Sequence, residues 1–271
     1  MTEKIKIIKA DGREDFFSEK KFENSLKRAG ASIQEINEVK EKIKKELRNG
    51  ISTEEIYRKA FSFLKKKNKP VAGRYSLKTA LMELGPTGYP FEQIIGRILK
   101  KQGYQVSYPE KVKGSCVSHE IDVVAEKGKE KIMVEAKFHN QYGFRTDLKT
   151  ALYVKARFDD IKKSGFNRCW LPTNTKFSKD AIKYANCARI ELLGWNWPKG
   201  RGIEVLIEET KLHPITAITS LSSGEKRELL NKNVVVCQDL IDNPRILIET
   251  GINKNKGDKI LKEIKELIRI N

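Results

Sequence analysis

The chain has 271 residues, 39% of them hydrophobic and 33% charged, and its 54 lysines and arginines against 36 acids give a formal net charge of +18. So large a basic excess predicts a polyanionic partner, most simply nucleic acid; the alternative is a lysine-rich solvated surface. The four cysteines form no C-x-x-C pair and no run approaches the roughly 20 apolar residues of a membrane span, so we expect neither a zinc or disulfide framework nor a membrane protein, but a soluble cytoplasmic one.

The first 86 residues predict a mostly helical domain that begins with a small β-hairpin. The stretch KIKIIKADGREDFF indicates two short strands around an Asp11-Gly12 turn. Apolar residues at helical spacing follow, and STEE, at Ser52 to Glu55, is typical of a helix N-terminus. The stretch AGRYSLKTALMEL predicts one last helix, and the Gly/Pro-rich GPTGYP after it marks a domain boundary.

Residues 87–210 alternate predicted helices and strands. They are helix FEQIIGRILKKQG, strand YQVSYP, a hairpin over residues 119–140, a helix around residues 146–163, strand RCWLP, helix SKDAIKYANCA and strand RIELLGW. This order predicts an α/β/α core in which helices cover both faces of a mixed sheet. The connector that follows includes IEVLIEE, which we predict as a strand, and residues 211–271 predict a small helical domain.

The hairpin HEIDVVAEKGKEKIMVEAKFHN carries charged residues inside apolar runs. Because side chains alternate faces along a strand, Glu135 and Lys137 project from one face, and Asp122 on the preceding strand can lie near Glu135. Two carboxylates held close together repel, and a divalent cation such as Mg²⁺ or Mn²⁺ relieves the repulsion. Lys137 could then orient an attacking water or offset charge on a phosphate. The alternative is an amphipathic hairpin with a solvated Glu–Lys pair.

These residues resemble the motif of the PD-(D/E)-x-K nuclease superfamily, in its Mrr-like restriction endonuclease branch. The similarity covers roughly residues 88–195 and rests on Glu92 in YPFEQIIGRILKKQGY, Asp122 in EIDVV and Glu135-Ala136-Lys137. The resemblance implies that Asp122 and Glu135 bind the metal ion, that Lys137 serves catalysis, and that Glu92 supports the metal site. It also implies a Mg²⁺- or Mn²⁺-dependent enzyme that hydrolyses DNA.

The N-terminal domain resembles the ATP-cone, a nucleotide-binding domain, over about residues 3–85. The similarity lies in IIKADGREDFFSEKKFENSLKRAG, STEEIYRKAFSFL and RYSLKTALMELGP. The resemblance implies that Lys9, Lys21 and Thr53 contact the phosphates or base of ATP or dATP, which would act as an effector. Lysines near a β-turn and a helix start suit a triphosphate. The alternatives are surface charges for the lysines and a helix cap for Thr53.

Two further groups of residues are candidate DNA contacts. In YVKARFDDIKK, the side chains of Tyr153, Lys155 and Arg157 could follow a DNA groove as phosphate contacts, with a solvated helix face as the alternative. The C-terminal stretches AITSLSSGEKRELLNKN and TGINKNKGDKILKEI resemble degenerate helix-hairpin-helix units. That resemblance implies phosphate contacts from Lys226, Lys254, Lys256 and Lys259, and a helical packing or dimerisation module is the alternative.

Together these features predict a Mg²⁺-dependent DNA endonuclease regulated by a nucleotide. A non-catalytic, nucleotide-responsive DNA-binding regulator is one alternative, and a protein-interaction module whose charge serves solubility is another. Nucleases with one site per chain that cut both strands are often dimers, so a homodimer stays open. The sequence does not choose among restriction, repair and defence.

Overall fold

The computed structural model describes residues 5–268, which form two compact units. One unit holds the described residues up to Ala80 together with those from His213 onward, and the other holds Leu81–Leu212. The N-terminal and C-terminal segments therefore share a unit, and the nuclease-like segment forms its own. Within residues 5–268, none of the helices combines the length and apolar character that crossing a bilayer requires.

The N-terminal segment has a three-stranded sheet and five helices. Strands β1 and β2 are antiparallel around a turn in which Gly12 has φ +77°, a value that favours glycine, and β3 pairs parallel to β1. Serine side chains cap α1, α2 and α3. The elements are β1 (Lys6–Ile8), β2 (Glu14–Phe16), α1 (Glu19–Arg28), α2 (Ile33–Lys44), β3 (Ile51–Ser52), α3 (Thr53–Lys67), α4 (Lys69–Tyr75) and α5 (Leu77–Met82).

The single helix predicted after residue 70 is wrong, because the structure has two helices there. Helix α4 begins behind Asn68, whose side chain accepts a hydrogen bond from the Val71 N–H. It ends at Ser76, whose hydroxyl donates to the Gly73 carbonyl at 2.9 Å. A side chain that binds the backbone one turn earlier competes with continuation of the helix, and α5 starts at the next residue.

The second unit is built on a five-stranded mixed sheet in the order β12-β10-β8-β7-β4. Strands β8, β10 and β12 run parallel to one another. Strand β7 pairs antiparallel with β8 on one side and with β4 on the other. Its elements are α6 (Tyr89–Lys101), β4 (Gln105–Ser107), β5 (Glu110–Lys113), β6 (Ser118–Ile121), β7 (Val123–Lys127), β8 (Glu130–Val134), β9 (Arg145–Thr146), α7 (Leu148–Ile161), β10 (Arg168–Pro172), β11 (Lys176–Phe177), α8 (Lys179–Ala188), β12 (Glu191–Leu193) and α9 (Ile203–Thr210).

Helices cover both faces of this sheet, as predicted. Met133 and Leu171 share a buried cluster with Val154 of α7 and Ala181 of α8. Helix α6 packs against β4 and β7, and its Phe91 ring lies 6.0 Å from the ring of Phe138. The predicted fold class, an α/β/α core with a mixed sheet beside helical N- and C-terminal segments, is confirmed.

The segment IEVLIEE was predicted as a strand, and this is wrong because it forms helix α9. Its apolar residues fit both the two-residue period of a strand and the 3.6-residue period of a helix. In the structure, Ile203 and Ile207, four residues apart, are fully buried. That spacing places one stripe of a helix against the core. The backbone N–H of Ile203 donates to the Gly194 carbonyl at 3.0 Å, which fixes the start of the helix.

The C-terminal segment is helical and packs on the N-terminal segment. Its helices are α10 (Ser223–Asn231), α11 (Cys237–Asp242), α12 (Arg245–Glu249) and α13 (Lys254–Ile268). The guanidinium of Arg74 donates to the carbonyls of Ala29, Glu266 and Leu267 at 2.8, 3.1 and 3.1 Å. Arg74 thus donates to carbonyls in the last described turn of α13 and ties that helix to α4.

Candidate active site

The candidate site lies just past the end of β8. Glu135 is only 2% exposed, and each of its two carboxylate oxygens accepts a hydrogen bond from a cationic side chain. Lys137 Nζ donates to Oε1 at 2.7 Å, and Arg157 Nη1 donates to Oε2 at 2.6 Å. Such charge-assisted bonds fix the orientation of the buried Glu135 carboxylate.

The sequence predicted that Asp122 lies within a strand, and this is wrong, because Asp122 lies at a bend between β6 and β7. Val123 pairs with Val134 across the β7–β8 hairpin, and the next residues outward are Asp122 and Glu135. The bend turns the Asp122 side chain toward the neighbouring strand, where Oδ2 accepts the Ala136 N–H at 2.8 Å. The two carboxylates and the Lys137 amine therefore converge on one place.

The electrostatics of the site show an excess of negative charge. Burial, and then the charge of Glu135, raise the pKa of Asp122 to about 6, although the Ala136 N–H opposes the rise. Burial, and then the charges of Asp122 and Glu135, raise the pKa of Glu92 to about 7. Glu92, in the first turn of α6, thus belongs electrostatically to the same cluster, where three carboxylates face the cations of Lys137 and Arg157.

The donor set suits a hard divalent cation. Magnesium is commonly held by one or two carboxylates and keeps several waters, so Asp122 and Glu135 suffice as protein ligands. No group of three or more acidic, histidine or cysteine side chains within residues 5–268 has the spacing of a metal cage. The chemistry of the pair and the raised pKa of Asp122 and Glu92 fit an ion that retains most of its water.

Arg157 is a site residue that sequence reasoning placed elsewhere. We expected it beside Tyr153 and Lys155 as a phosphate contact, but its side chain is only 11% exposed and holds Glu135. It also donates to the Glu120 carbonyl and lies 5.4 Å from the Tyr153 ring centroid. Lys155 donates to Asp159 at 2.6 Å, whereas Tyr153 is 57% exposed. Contacts of the three with DNA stay predictions.

The candidate nucleotide residues Lys9, Lys21 and Thr53 all line one cavity of about 180 Å³ in the N-terminal segment. The capping role falls to Ser52, whose hydroxyl accepts the Glu55 N–H at 3.0 Å, so the alternative for Thr53 is not needed. The Nζ atom of Lys9 lies 3.2 Å from the Oδ2 atom of Asp15.

Sequence reasoning missed the aromatic wall of this cavity. The rings of Tyr57 and Tyr75 stack at 5.5 Å with 14° between their planes, and both line the cavity. Tyr57 lies four residues after Thr53, on the same face of α3, and this spacing was the available signal. A stacked pair of rings suits a flat base beside the basic residues.

The four candidate lysines of the C-terminal segment differ in their surroundings. Lys226 Nζ donates to the Thr216 carbonyl at 2.5 Å, and Lys256 Nζ donates to Glu225 at 2.6 Å. Lys254 and Lys259 are exposed on α13. Two of the four thus have roles in packing, and phosphate contacts by any of them stay predictions.

Comparison with known proteins identifies the segments. A family model described as Restriction endonuclease matches residues 85–195, one described as ATP cone domain matches residues 5–81, and one described as AF1548-like, C-terminal matches residues 213–268. Fold, site and matches together define a protein with a restriction endonuclease domain and an ATP cone domain.

Two similar proteins show the family to which the chain belongs. An uncharacterized protein of Archaeoglobus fulgidus is 42% identical over 175 residues, which are 64% of this chain and 99% of that protein. The crystal structure of protein of unknown function AF1548 is 40% identical with a TM-score of 0.57, over 67% of this chain and 98% of that one. The chain therefore belongs to the AF1548-like family. The restriction endonuclease MspJI, solved with a 27-mer oligonucleotide, is 15% identical with a TM-score of 0.38, over 60% of this chain and 36% of that one, which is too distant to bear on function.

Proposed function

We propose that this protein is a Mg²⁺- or Mn²⁺-dependent endonuclease that hydrolyses DNA phosphodiester bonds at Asp122, Glu135 and Lys137. The observation that carries the proposal is the convergence of these three side chains, through the Asp122 bond to the Ala136 N–H and the Lys137 bond to Glu135. The restriction endonuclease match and the net charge of +18 support DNA as the substrate.

The chain's own residues divide the work in this proposal. Asp122 and Glu135 hold the cation, and Glu92 adds negative charge that is only part-formed near neutral pH, because its pKa is about 7. Lys137, 32% exposed, is the cation that can reach solvent and donate to a phosphate oxygen or the attacking water. Arg157 holds the far oxygen of Glu135 and keeps the carboxylate aimed. The metal ion, when bound, supplies Lewis acidity for the water and the phosphate.

The test is cleavage of DNA with Mg²⁺, with Mn²⁺ and with chelator, on wild type and Lys137→Ala. We expect metal-dependent cleavage, reduced roughly 100-fold or more in the variant, because charge stabilisation at a reacting centre is typically worth that much. Lys129→Ala, an exposed lysine in the turn at the other end of the hairpin, is the matched control and should cleave as wild type does. A Lys137→Ala protein as active as wild type would refute the site.

One observation favours the second candidate, a DNA-binding regulator without cleavage. Both Glu135 oxygens already accept hydrogen bonds from cations, so the acid pair is partly neutralised by the protein. In that case metal would bind weakly, and DNA binding would be independent of metal and of Lys137. Salt-dependent DNA binding by wild type with no cleavage under any metal would select the regulator.

We also propose that ATP or dATP binds the cavity lined by Lys9, Lys21 and Thr53 and acts as an effector. The ATP cone match and the stacked tyrosines support this. Equilibrium dialysis with each nucleotide tests binding, and cleavage with and without nucleotide tests regulation.

A further inference from the structure

Exposed apolar side chains are concentrated beside the candidate site. Across the described residues, 5–268, ten large hydrophobic side chains are exposed, and four of them lie in residues 142–153. This short stretch runs between Lys137 and Arg157, both of which contact Glu135. Clustered apolar exposure next to a site marks an interaction surface. The four are Tyr142, Phe144, Leu152 and Tyr153.

The Phe144 ring, 54% exposed, packs on the ring of His139. The two rings stack at 5.5 Å with 23° between their planes, and His139 follows Lys137 by two residues. The fully buried side chain of Asn174 accepts the His139 N–H at 2.9 Å and donates to the His139 carbonyl at 2.7 Å. Thr146, two residues after Phe144, pairs in β9 with β11. Phe144 therefore sits on a short loop anchored at both ends.

The Tyr153 ring, 57% exposed, is held by Arg157. It lies on α7 and its centroid is 5.4 Å from the Arg157 guanidinium carbon, while Arg157 itself bonds Glu135. Two exposed aromatic rings are thus pre-positioned by single side chains, Phe144 by His139 and Tyr153 by the Arg157 that binds Glu135. Little ordering would be required of either ring on binding.

The chemistry of these rings selects one form of nucleic acid. A base in a duplex has its faces covered by its neighbours and shows only its edges, whereas an unpaired base offers a face to an aromatic ring. Arg145 and Lys149 are exposed between the two rings in sequence, which adds the basic character that tracks a phosphate backbone.

We infer that Phe144 and Tyr153 stack on unpaired bases that flank the scissile phosphate. The substrate class is then DNA that is single-stranded, or carries an unpaired segment, at the bond to be cut. This inference rests on the proposed function for the position of that phosphate, but the binding preference can be measured without cleavage.

The test uses three DNAs of one sequence: a single strand, a full duplex, and a duplex with an unpaired segment. Their binding to the full chain is measured by fluorescence anisotropy in chelator. We expect Phe144→Ala and Tyr153→Ala each to weaken binding of the two unpaired DNAs by about 5- to 150-fold, the range for one stacked base, and to leave duplex binding within about twofold. Ile33→Ala removes an exposed apolar side chain of α2, outside residues 142–153, and should leave all three affinities unchanged.

Two substitutions at one position separate stacking from apolar contact. Phe144→Trp should bind the unpaired DNAs as wild type does, whereas Phe144→Leu should resemble Phe144→Ala. Equal losses on duplex, full retention by Phe144→Leu, or no loss in the alanine variants would each overturn the inference, the last of them leaving the surface to a protein partner.

Cleavage of the same DNAs keeps the two proposals apart. Ring-dependent binding of unpaired DNA with no cleavage in Mg²⁺ or Mn²⁺ would refute the nuclease and support the inference. Metal-dependent cleavage, together with binding that the Phe144 and Tyr153 substitutions do not change, would support the nuclease and refute the inference.

Discussion

The two units each bury a glutamate, and the two are held in opposite ways. Glu263, 4% exposed on α13, accepts the Thr219 N–H at 2.6 Å, the Thr219 hydroxyl at 2.8 Å and the Ser220 N–H at 3.2 Å. Glu135, 2% exposed, is held by the two cations Lys137 and Arg157. Burial is the same in both, so burial by itself does not mark a functional acid.

The difference lies in what surrounds each carboxylate. The Glu263 partners are neutral donors of one short segment, which tie α13 to the chain before α10. Glu135, Asp122 and Glu92 face the two cations Lys137 and Arg157, and burial, followed by the charges of the neighbouring carboxylates, raises the pKa of Asp122 and of Glu92. The first arrangement is complete as a structural bond, and the second would be completed by a cation.

The largest effect that would test this contrast is on cleavage. We expect Glu135→Gln to reduce metal-dependent cleavage by roughly 100-fold or more, because it removes one of two charged ligands while keeping the shape. Glu263→Gln should leave kcat as in wild type at a temperature where both are folded. Comparable losses in the two variants would show that Glu135, like Glu263, is only structural.

The next largest effect is on stability, and it is expected for a Glu263 variant. Glu263→Ala removes the acceptor of the donors of buried Thr219 and half-buried Ser220, so we expect a loss of about 2–4 kcal/mol in the free energy of unfolding. Urea denaturation measures it, and Glu266→Ala, exposed on the same helix, is the control with an expected change within about 0.5 kcal/mol. A loss no larger than that of Glu266→Ala would mean that these three bonds contribute little.

A third prediction concerns pH and Asp122. The folded protein holds the proton of Asp122 more tightly than the unfolded chain, since its pKa is raised to about 6. Without metal, this group therefore lowers the free energy of unfolding as pH rises from about 4 through 6. Asp122→Asn removes that penalty, and we expect it to be more stable than wild type by about 1–3 kcal/mol at pH 8 and equal to it near pH 4.

The measurement is urea denaturation of both proteins across this pH range, with and without Mg²⁺. Mg²⁺ should stabilise the folded wild type more than Asp122→Asn, because the variant lacks the charged ligand. The difference between their free energies of unfolding at pH 8 should therefore shrink or change sign. A stability difference that is constant with pH would contradict the raised pKa of Asp122, and one that grows with Mg²⁺ would contradict its role as a metal ligand.

Local pattern was enough to predict the hairpin and the shared face of Glu135 and Lys137, because side chains alternate along a strand, but it did not predict the bend that turns Asp122 toward them. It was not enough for the Arg157–Glu135 bond, which joins residues 22 apart in sequence. On a helix, such an arginine has the pattern of a solvated face, and only the tertiary fold decides otherwise. The same limit applies to α9, whose apolar residues fit both the two-residue period of a strand and the 3.6-residue period of a helix, so that only packing against the core distinguishes them.

The smallest predicted effects separate two adjacent hydroxyls at the start of α3. Ser52→Ala removes the cap of the helix and should cost about 1 kcal/mol in the free energy of unfolding, with little change in nucleotide affinity. Thr53→Ala should leave stability nearly unchanged and weaken ATP or dATP binding by about fivefold to tenfold, the value of one hydrogen bond. Urea denaturation and equilibrium dialysis on both variants measure the two effects. If Ser52→Ala weakens nucleotide binding as much as Thr53→Ala does, the cavity depends on the helix end as a whole and Thr53 has no separate contact.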